Sequence, residues 1–334
     1  MYSIKRGNRY LLVTLVTYLF GSTLLGLFIG LTKGTMGISL QILISQWGII
    51  FIPIVFYFLI TKAPIKKSLF IKKIKPLNVL FSVLLAGAIM PLLSFINILS
   101  QFFVKNVISE AILEIAEQPL WISLLLVAVT PAILEEVAMR GIITSNYRSK
   151  PVLTTCLISG FFFGMFHMNI NQFLYAFVMG IIMCFVVHLT GSILSSMIIH
   201  FTINASSLIF AKGALFLQDY LTEINPNYAS QMEQAALDPT GTLIQGAIFL
   251  GVACLVMTPI AGLIIYGLMK YNKKENILKD RLTTGEVLNL TDEVQVPEER
   301  EKVITPSFII SVSLFVGFVV IFEILFPIIV KYTQ

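Results

Sequence analysis

Three short groups of residues carry the side chains in this sequence that are best suited to acid–base chemistry. In chain order they read Glu135-Glu136-xxx-Arg140, Phe163-xxx-His167 and His200-xxx-Asn204. Carboxylates and imidazoles act as general acids and bases, and asparagine adds a hydrogen-bond donor. The residue types therefore predict a site that moves protons and stabilises a developing negative charge.

The two adjacent glutamates are expected to have different roles. Glu136 and Arg140 stand four residues apart, so on a helix they share one face and form an ion pair. Glu135 points about 100° away round the helix and is left without that partner. An unpaired carboxylate suits general acid–base catalysis. The alternative is that all three residues form a structural ion-pair cluster at a helix end.

The histidines and the asparagine also have structural alternatives. His200 and Asn204 share a helix face, which fits either a reactive pocket or a single helix–helix hydrogen bond. His167, one turn after Phe163, fits either a catalytic role or an interfacial hydrogen bond. Helix lengths measured from the turn near residue 150 put Glu135 and His167 at one level. We therefore expect three helices to bring these groups into one pocket that water reaches.

The composition shows what kind of element must position these groups. Of 334 residues, 57% are hydrophobic and only 12% are charged, whereas soluble proteins carry about 25% charged residues. This balance excludes a soluble enzyme, a nucleic-acid-binding protein and a disordered chain. It predicts an integral membrane protein whose main surroundings are the lipid bilayer.

Long charge-free runs separate the charged residues, and they predict an all-α polytopic membrane protein. The runs are continuously apolar, so they lack the alternation of a membrane β-barrel. We predict about nine transmembrane helices, near residues 10–32, 38–61, 77–103, 119–147, 152–168, 171–189, 192–212, 244–269 and 305–330.

The positive charges predict the orientation. With nine spans, the basic segments at residues 5–9, 62–75, 148–150 and 270–281 all fall on one side. Residues 213–243 fall on the other side and contain no lysine or arginine. The positive-inside bias then places the N-terminus in the cytoplasm. We expect a prokaryotic cytoplasmic membrane as the location.

Other polar or reactive residues in the spans have weaker patterns. The three cysteines form no CxxC motif and are expected to be small apolar fillers, as is usual for such residues. His188 is expected to be structural, and Glu323 is a lone carboxylate of open role in the last span. The cysteines are Cys156, Cys184 and Cys254. Soluble zincin, serine hydrolase and nucleotide-binding motifs are missing from the sequence.

The three groups together resemble the motifs of the CPBP (Abi) family, which includes type II CAAX prenyl endopeptidases and bacteriocin-processing or immunity proteins. The resemblance implies an intramembrane endopeptidase in which Glu135 and His167 activate a water molecule. It implies that His200 and Asn204 stabilise the oxyanion, and that Glu136, Arg140 and Phe163 support the site. The resemblance implies a membrane-embedded or membrane-associated protein or peptide as the substrate. It implies no nucleic-acid partner.

The family has been described both as glutamate-dependent and as metallopeptidases. Zinc therefore stays an alternative, with Glu135, His167 and His200 as its ligands. Because Asn204 fits oxyanion binding better than zinc ligation, no cofactor is favoured. A non-catalytic immunity or regulatory protein of the same family is the second hypothesis, and a transporter is the third.

The sequence suggests three parts. Residues 1–114 are predicted to hold about three N-terminal spans, and residues 115–212 a CPBP-like catalytic core of about four. Residues 213–334 are predicted to hold the C-terminal spans with extracytoplasmic and cytoplasmic polar loops.

Overall fold

The computed structural model describes residues 2–32, 36–106, 108–225, 227–228, 230, 232, 237–278, 282–288 and 301–326. Part of the predicted 272–303 loop, with the basic residues Lys279 and Arg281, lies outside these ranges, as does the end of the last predicted span. Most of the described residues are helical, none of them lies in a β-strand, and one isolated β-bridge joins Pro151 and Thr283.

Twelve helices are named here in chain order. They are α1 (Ile4–Leu31), α2 (Ile38–Thr61), α3 (Ile65–Ser68), α4 (Pro76–Ser100), α5 (Ser109–Glu117), α6 (Leu120–Asn146), α7 (Val152–Phe166), α8 (Ile170–Thr190), α9 (Ile193–Ile224), α10 (Pro239–Tyr271), α11 (Thr284–Val287) and α12 (Pro306–Leu325). Among the described residues, eight of these helices are long and apolar enough to cross a membrane. This confirms the all-α polytopic architecture.

The predicted span near residues 152–168 is a shorter apolar helix, α7, of 15 residues. It ends because Met168 adopts a left-handed backbone conformation with φ of 53°. Asn169 then caps the following helix, its side-chain oxygen accepting a hydrogen bond from the backbone N–H of Gln172 at 2.7 Å. His167 is therefore the last residue before a sharp turn.

The centre of the bundle is formed by α6, α8 and α9. The most apolar windows of these helices are 61%, 50% and 44% buried inside the protein, against 6% for α10. Helix α7 packs along α8, and α4 packs against α8, α9 and α10. The three sequence motifs lie on α6, α7 and α9, so the central helices carry the candidate site while α10 presents its apolar surface outward.

Helix α6 is not a regular α-helix along its length. Residues 125–129 and 137–143 form π-helical turns on either side of the α-helical segment 130–136. A π-turn inserts an extra residue and is often found at functional sites. Here the two π-turns bracket the segment that carries both adjacent glutamates.

Two glycines allow α7 and α8 to approach closely. A Cβ atom built on Gly180 would lie 2.6 Å from the Cα atom of Gly160. Small residues at such crossings let two backbones come together in a membrane protein. The crossing brings the backbone of α8 within reach of side chains from α6.

The segment 282–288 packs against the turn between α6 and α7. Thr284 N–H donates to the carbonyl of Lys150 at 2.8 Å, and Gly285 N–H donates to the carbonyl of Arg148 at 2.8 Å. We call the end of the bundle that contains residues 62–75, 148–151, 191–192, 270–278 and 282–288 the basic end. The three-part domain division of the sequence stays a prediction.

Candidate active site

Glu136 lies at the centre of a buried ion-pair network. Its Oε1 atom accepts hydrogen bonds from Arg140 Nη1 at 3.0 Å and from His200 Nδ1 at 3.0 Å. The side chains of Glu136 and Arg140 are fully buried, and that of His200 is 4% exposed. The i, i+4 pair predicted from spacing is therefore present, and it reaches across to α9.

Arg140 joins three helices. Besides Glu136 on its own helix, it donates from Nη2 to the carbonyl of Gly180 at 3.2 Å. Its guanidinium carbon lies 4.4 Å from the ring centre of Phe163 on α7, a cation–π distance. A Cβ atom at position 180 would lie only 3.3 Å from Arg140 Nη2. The glycine at the Gly160–Gly180 crossing therefore leaves room for the guanidinium to reach α8.

Glu135 has a different environment from its neighbour. Its Oε2 atom lies 3.9 Å from His200 Nε2, beyond a direct hydrogen bond, and the residue is 8% exposed. At this separation, Glu135 Oε2 and His200 Nε2 can both lie about 2.8 Å from one further atom placed between them. The side chain also interacts electrostatically with Tyr18 and Tyr175, which the sequence analysis did not select.

His167 lies at the end of α7, half-buried and held from two directions. Its Nδ1 atom lies 2.8 Å from the backbone carbonyl of Phe163, so Nδ1–H donates and Nε2 faces away. The side-chain amide of Asn169 donates to the carbonyl of His167 at 3.0 Å. His167 interacts electrostatically with Glu135 and His200, so all three groups share one region.

Phe163 forms the wall between the two histidines. Its ring meets the rings of His167 and His200 edge to face, with centroids 5.0 and 5.8 Å apart. Edge-to-face packing of this kind fixes ring orientation as well as position. The motif Phe163-xxx-His167 therefore contributes one polar group and the surface that orients both imidazoles.

Asn204 is half-buried on α9 and contacts the first π-turn of α6. Its amide nitrogen donates one hydrogen bond to the backbone carbonyl of Val127 at 2.9 Å. An amide nitrogen has two hydrogens, so a second donor position remains. This contact joins α9 to the π-turn that precedes residues 130–136 of α6.

Glu323 is brought close to the turn that carries His167. Both of its carboxylate oxygens accept from the backbone N–H of Ile170, at 3.0 and 3.2 Å. A carboxylate at this point also interacts favourably with the N-terminus of α8. Glu323 and Ile170 are 153 residues apart, so no local pattern in the sequence predicts their contact. The helix cap is different, because Asn169 followed by Gln172 is a recognisable capping pattern.

Cys156, Cys184 and His188 form a second buried group. Cys156 lies one turn before Gly160 on α7, and Cys184 and His188 lie one and two turns after Gly180 on α8. Their ligand-type atoms all lie within 4.8 Å of one another. The sequence analysis treated these residues separately, although the i, i+4 spacing of Cys184 and His188 places them on one face. Cys254 lies apart on α10, where its sulfur is 3.4 Å from Thr258 Oγ1.

The arrangement around the glutamates has specific chemical capabilities. Each histidine uses Nδ1–H on a fixed acceptor, so Nε2 is the nitrogen left for other partners, and that of His200 faces Glu135 Oε2 at 3.9 Å. A neutral Nε2 accepts a proton or binds a metal, and a protonated Nε2 donates. Among the described residues, the ligand-type atoms of Glu135, His167 and His200 do not all come within 4.8 Å of one another. The hydrogen-bonded Nδ1 atoms are nevertheless of the kind that orients a ligating histidine, so a metal at these three residues stays an alternative.

Comparison with known proteins gives one family. Residues 117–206 match the family model described as type II CAAX prenyl endopeptidase Rce1-like, which confirms the resemblance inferred from the three motifs. No curated protein and no solved structure matches this chain. The matched segment contains every motif residue and indicates a CAAX protease-type membrane endopeptidase.

Proposed function

We propose that the segment matching the type II CAAX prenyl endopeptidases is an active intramembrane endopeptidase, with Glu135 as its general base. The observation that supports this most directly is the unequal environment of the two glutamates. Glu136 has two partners at 3.0 Å, whereas Glu135 faces His200 Nε2 at 3.9 Å. One carboxylate holds the structure together, and the other is available to a water molecule and a substrate.

In the proposed reaction, Glu135 takes a proton from water while the water oxygen attacks the scissile carbonyl carbon. His167 assists through Nε2, because Nδ1–H is directed to the Phe163 carbonyl. The new C–O bond moves the carbonyl electrons onto oxygen. Collapse of this oxyanion breaks the C–N bond, and the proton taken by Glu135 goes to the leaving amine.

His200 and Asn204 are the proposed oxyanion donors. A protonated His200 balances the buried charges, because two carboxylates then face one guanidinium and one imidazolium. It would donate from Nε2, while Nδ1–H stays on Glu136. Asn204 has its second amide hydrogen for the same purpose, with the first fixed on Val127. Donors held in place before the reaction stabilise developing charge most effectively.

Glu136, Arg140 and Phe163 are proposed to position the reacting groups. Glu136 fixes the His200 ring, and Phe163 separates the two imidazoles. Arg140 compensates the charge of Glu136 and anchors it to α8. This division gives a separate role to each of the two consecutive glutamates and to the arginine four residues later.

We favour a site without a metal, because Asn204 and a charged His200 provide oxyanion binding. If zinc is bound, Glu135, His167 and His200 would hold it, and the ion would polarise the scissile carbonyl. In that case Glu136 and the Phe163 carbonyl would orient the two histidine ligands. Zinc content of the wild type compared with that of His167→Ala, together with activity after chelation, distinguishes these forms of the proposal, because only a catalytic zinc is lost with His167.

The proposed substrate is a membrane-associated protein or peptide. The positive-inside bias supports a cytoplasmic N-terminus and a basic end at the cytoplasmic face, in a prokaryotic cytoplasmic membrane. The motif residues are carried by α6, α7 and α9, which are apolar helices, so the substrate must reach the site at membrane depth.

The test compares new peptide termini in membranes that contain wild-type protein or Glu135→Gln. We expect a defined set of termini with the wild type and a loss of about 10²- to 10⁴-fold with Glu135→Gln, because the general base is removed. Glu223→Gln is the matched control, since Glu223 is exposed near the far end of α9. It should leave the cleavage pattern unchanged.

The same experiment decides against the non-catalytic alternative. If Glu135→Gln and His167→Ala both keep the full set of termini and the full biological effect, proteolysis at this site is the wrong explanation. Folding of each variant is checked by its thermal unfolding in detergent, so that lost activity is not mistaken for lost structure.

A further inference from the structure

The buried group formed by Cys156, Cys184 and His188 lies outside the proposed catalytic machinery. Cys156 is on α7, while Cys184 and His188 are on α8, one and two turns beyond Gly180 towards the basic end. The three residues are 1%, 0% and 0% exposed. Two thiols and an imidazole are typical ligands of thiophilic metal ions.

The distances within the group fit a metal ion bound between the donors. Nδ1 of His188 lies 3.9 Å from the sulfur of Cys156 and 3.8 Å from that of Cys184. Zinc bonds of about 2.3 Å to sulfur and 2.0–2.1 Å to nitrogen place these atoms about 3.5–3.8 Å apart for tetrahedral to trigonal angles. The donors therefore need to move by only a few tenths of an ångström.

The hydrogen bonds beyond His188 determine which nitrogen carries its proton. Thr155 donates its hydroxyl hydrogen to the carbonyl of Tyr147 at 3.3 Å, and Thr284 donates its own to Thr155 at 2.8 Å. The hydroxyl of Thr284 has no further hydrogen, so at 3.1 Å it must accept from Nε2–H of His188. A neutral His188 therefore has its lone pair on Nδ1.

That lone pair faces other electron-rich atoms. Nδ1 lies 2.8 Å from the backbone carbonyl oxygen of Cys184 and is also directed towards the two sulfurs. At this distance the carbonyl accepts a hydrogen bond from an Nδ1–H, as the Phe163 carbonyl does from His167. A bound metal ion would take the place of that hydrogen, and Nε2–H to Thr284 is then the bond that orients the ligating ring.

We propose that Cys156, Cys184 and His188 bind a zinc ion that has a structural role. Two thiolates and a neutral imidazole exactly offset the charge of Zn²⁺, which suits a site hidden from water. Copper(I) with the same ligands leaves a net negative charge. Through His188 and Thr284, the ion links α7 and α8 to the docked segment 282–288.

The first measurement is the zinc and copper content of the full-length protein purified in detergent. We expect about one zinc ion per chain. Replacement of both cluster cysteines, Cys156→Ser with Cys184→Ser, should remove it, and Cys254→Ser should retain it. His167→Ala should also retain it, because His167 belongs to the proposed catalytic site. Copper in place of zinc would overturn the choice of ion.

The second measurement uses wild-type protein, so it does not depend on the folding of any variant. Zinc-edge X-ray absorption should show two sulfur ligands at about 2.3 Å. A ligand shell of nitrogen and oxygen alone, with zinc lost in His167→Ala, would overturn the proposal and place the ion at Glu135, His167 and His200. Failure to bind zinc after loading, or a disulfide between the two cysteines, would also overturn it and leave the proteolytic function untouched.

Discussion

The glutamate cluster and the cysteine cluster are two buried polar groups built partly on the same pair of helices, and they compensate their charges in opposite ways. Around Glu136, fixed charges offset one another directly, with Arg140 and His200 each at 3.0 Å. Around His188, the donors are neutral thiols and an imidazole, held by the hydroxyl of Thr284. Arg140 bonds to Gly180 between the two clusters.

The difference shows how each cluster depends on its surroundings. A buried ion pair is costly to break, because removal of one partner leaves an uncompensated charge. Neutral donors carry no such penalty, but they give little rigidity until a cation binds. The first cluster therefore balances its charges with protein groups alone, although Glu136 Oε2 and Arg140 Nε have no hydrogen-bond partner among the described residues. The second gains its stability from a ligand.

The largest expected effect comes from Arg140→Gln, which breaks the charge compensation of the glutamate cluster. We expect the free energy of unfolding to fall by about 3–5 kcal/mol, because the two buried carboxylates Glu135 and Glu136 then face only the His200 imidazolium. The measurement is chemical or thermal unfolding in detergent. Adding Glu136→Gln to the same chain should recover part of the loss.

The control for Arg140 is Arg9→Gln, which removes an exposed arginine from α1. It should change the free energy of unfolding by less than about 0.5 kcal/mol. If the two arginine variants are equally stable, the buried network does not hold α6, α8 and α9 together.

A smaller effect is expected from Gly180→Ala, which acts on both clusters. Its Cβ atom would lie 2.6 Å from the Cα atom of Gly160, so α7 and α8 must separate. We expect a loss of about 1–3 kcal/mol in unfolding free energy. Because Arg140 bonds to Gly180 and Cys184 lies one turn away, both cleavage and zinc content should decrease.

Gly262→Ala on α10 is the matched control for that substitution. No atom lies within 4 Å of a Cβ built there, and alanine is favoured over glycine in a helix by about 1 kcal/mol. This variant should be as stable as the wild type or slightly more so. Unchanged activity and zinc content in Gly180→Ala would show that the close crossing is unimportant to both clusters.

The smallest effect concerns Lys274, outside the spans, which covers the cysteine cluster from the basic end. It donates to the carbonyls of His188 at 2.5 Å and Val287 at 3.0 Å. Burial, with a contribution from Lys72, lowers the pKa of Lys274 from 10.5 to about 8. The folded protein therefore disfavours the charged amine relative to the unfolded chain.

The direction in which pH changes the stability follows from the protons that Lys274 binds in the folded and unfolded states. Between about pH 8 and 10.5 the unfolded chain holds more protons at this lysine, so its contribution to stability increases as pH rises. Wild-type protein should gain stability relative to Lys274→Met when thermal unfolding is measured at pH 7.5 and 9.5. Parallel stability curves for the two proteins would contradict a buried, neutral amine at this position.

Local spacing predicted the parts of the site that depend on one helix. The Glu136–Arg140 pair follows from an i, i+4 separation, and the different environment of Glu135 follows from the helical angle, while its role stays a prediction. The membrane class follows from composition and charge-free runs. These features need no knowledge of how the helices pack.

Contacts between helices could not be predicted in the same way. The His200–Glu136 bond depends on how α9 is aligned with α6, and α6 carries two π-turns that shift its side chains. Glu323 reaches Ile170 only because α12 packs beside the turn after α7. No local pattern encodes these alignments, and the left-handed Met168 that shortens α7 is likewise not evident from residue type.

The short length of α7 has a consequence for the surrounding lipid. Its 15 residues rise about 22 Å, whereas the hydrocarbon layer is about 30 Å thick. The layer must thin locally, or polar groups and water must fill the remaining depth above His167. The polar side chains of Asn169, Asn171 and Gln172 lie at that end of the helix. On the proposed function, this shortfall is the route by which water reaches His167, and the mismatch between helix and bilayer serves the reaction.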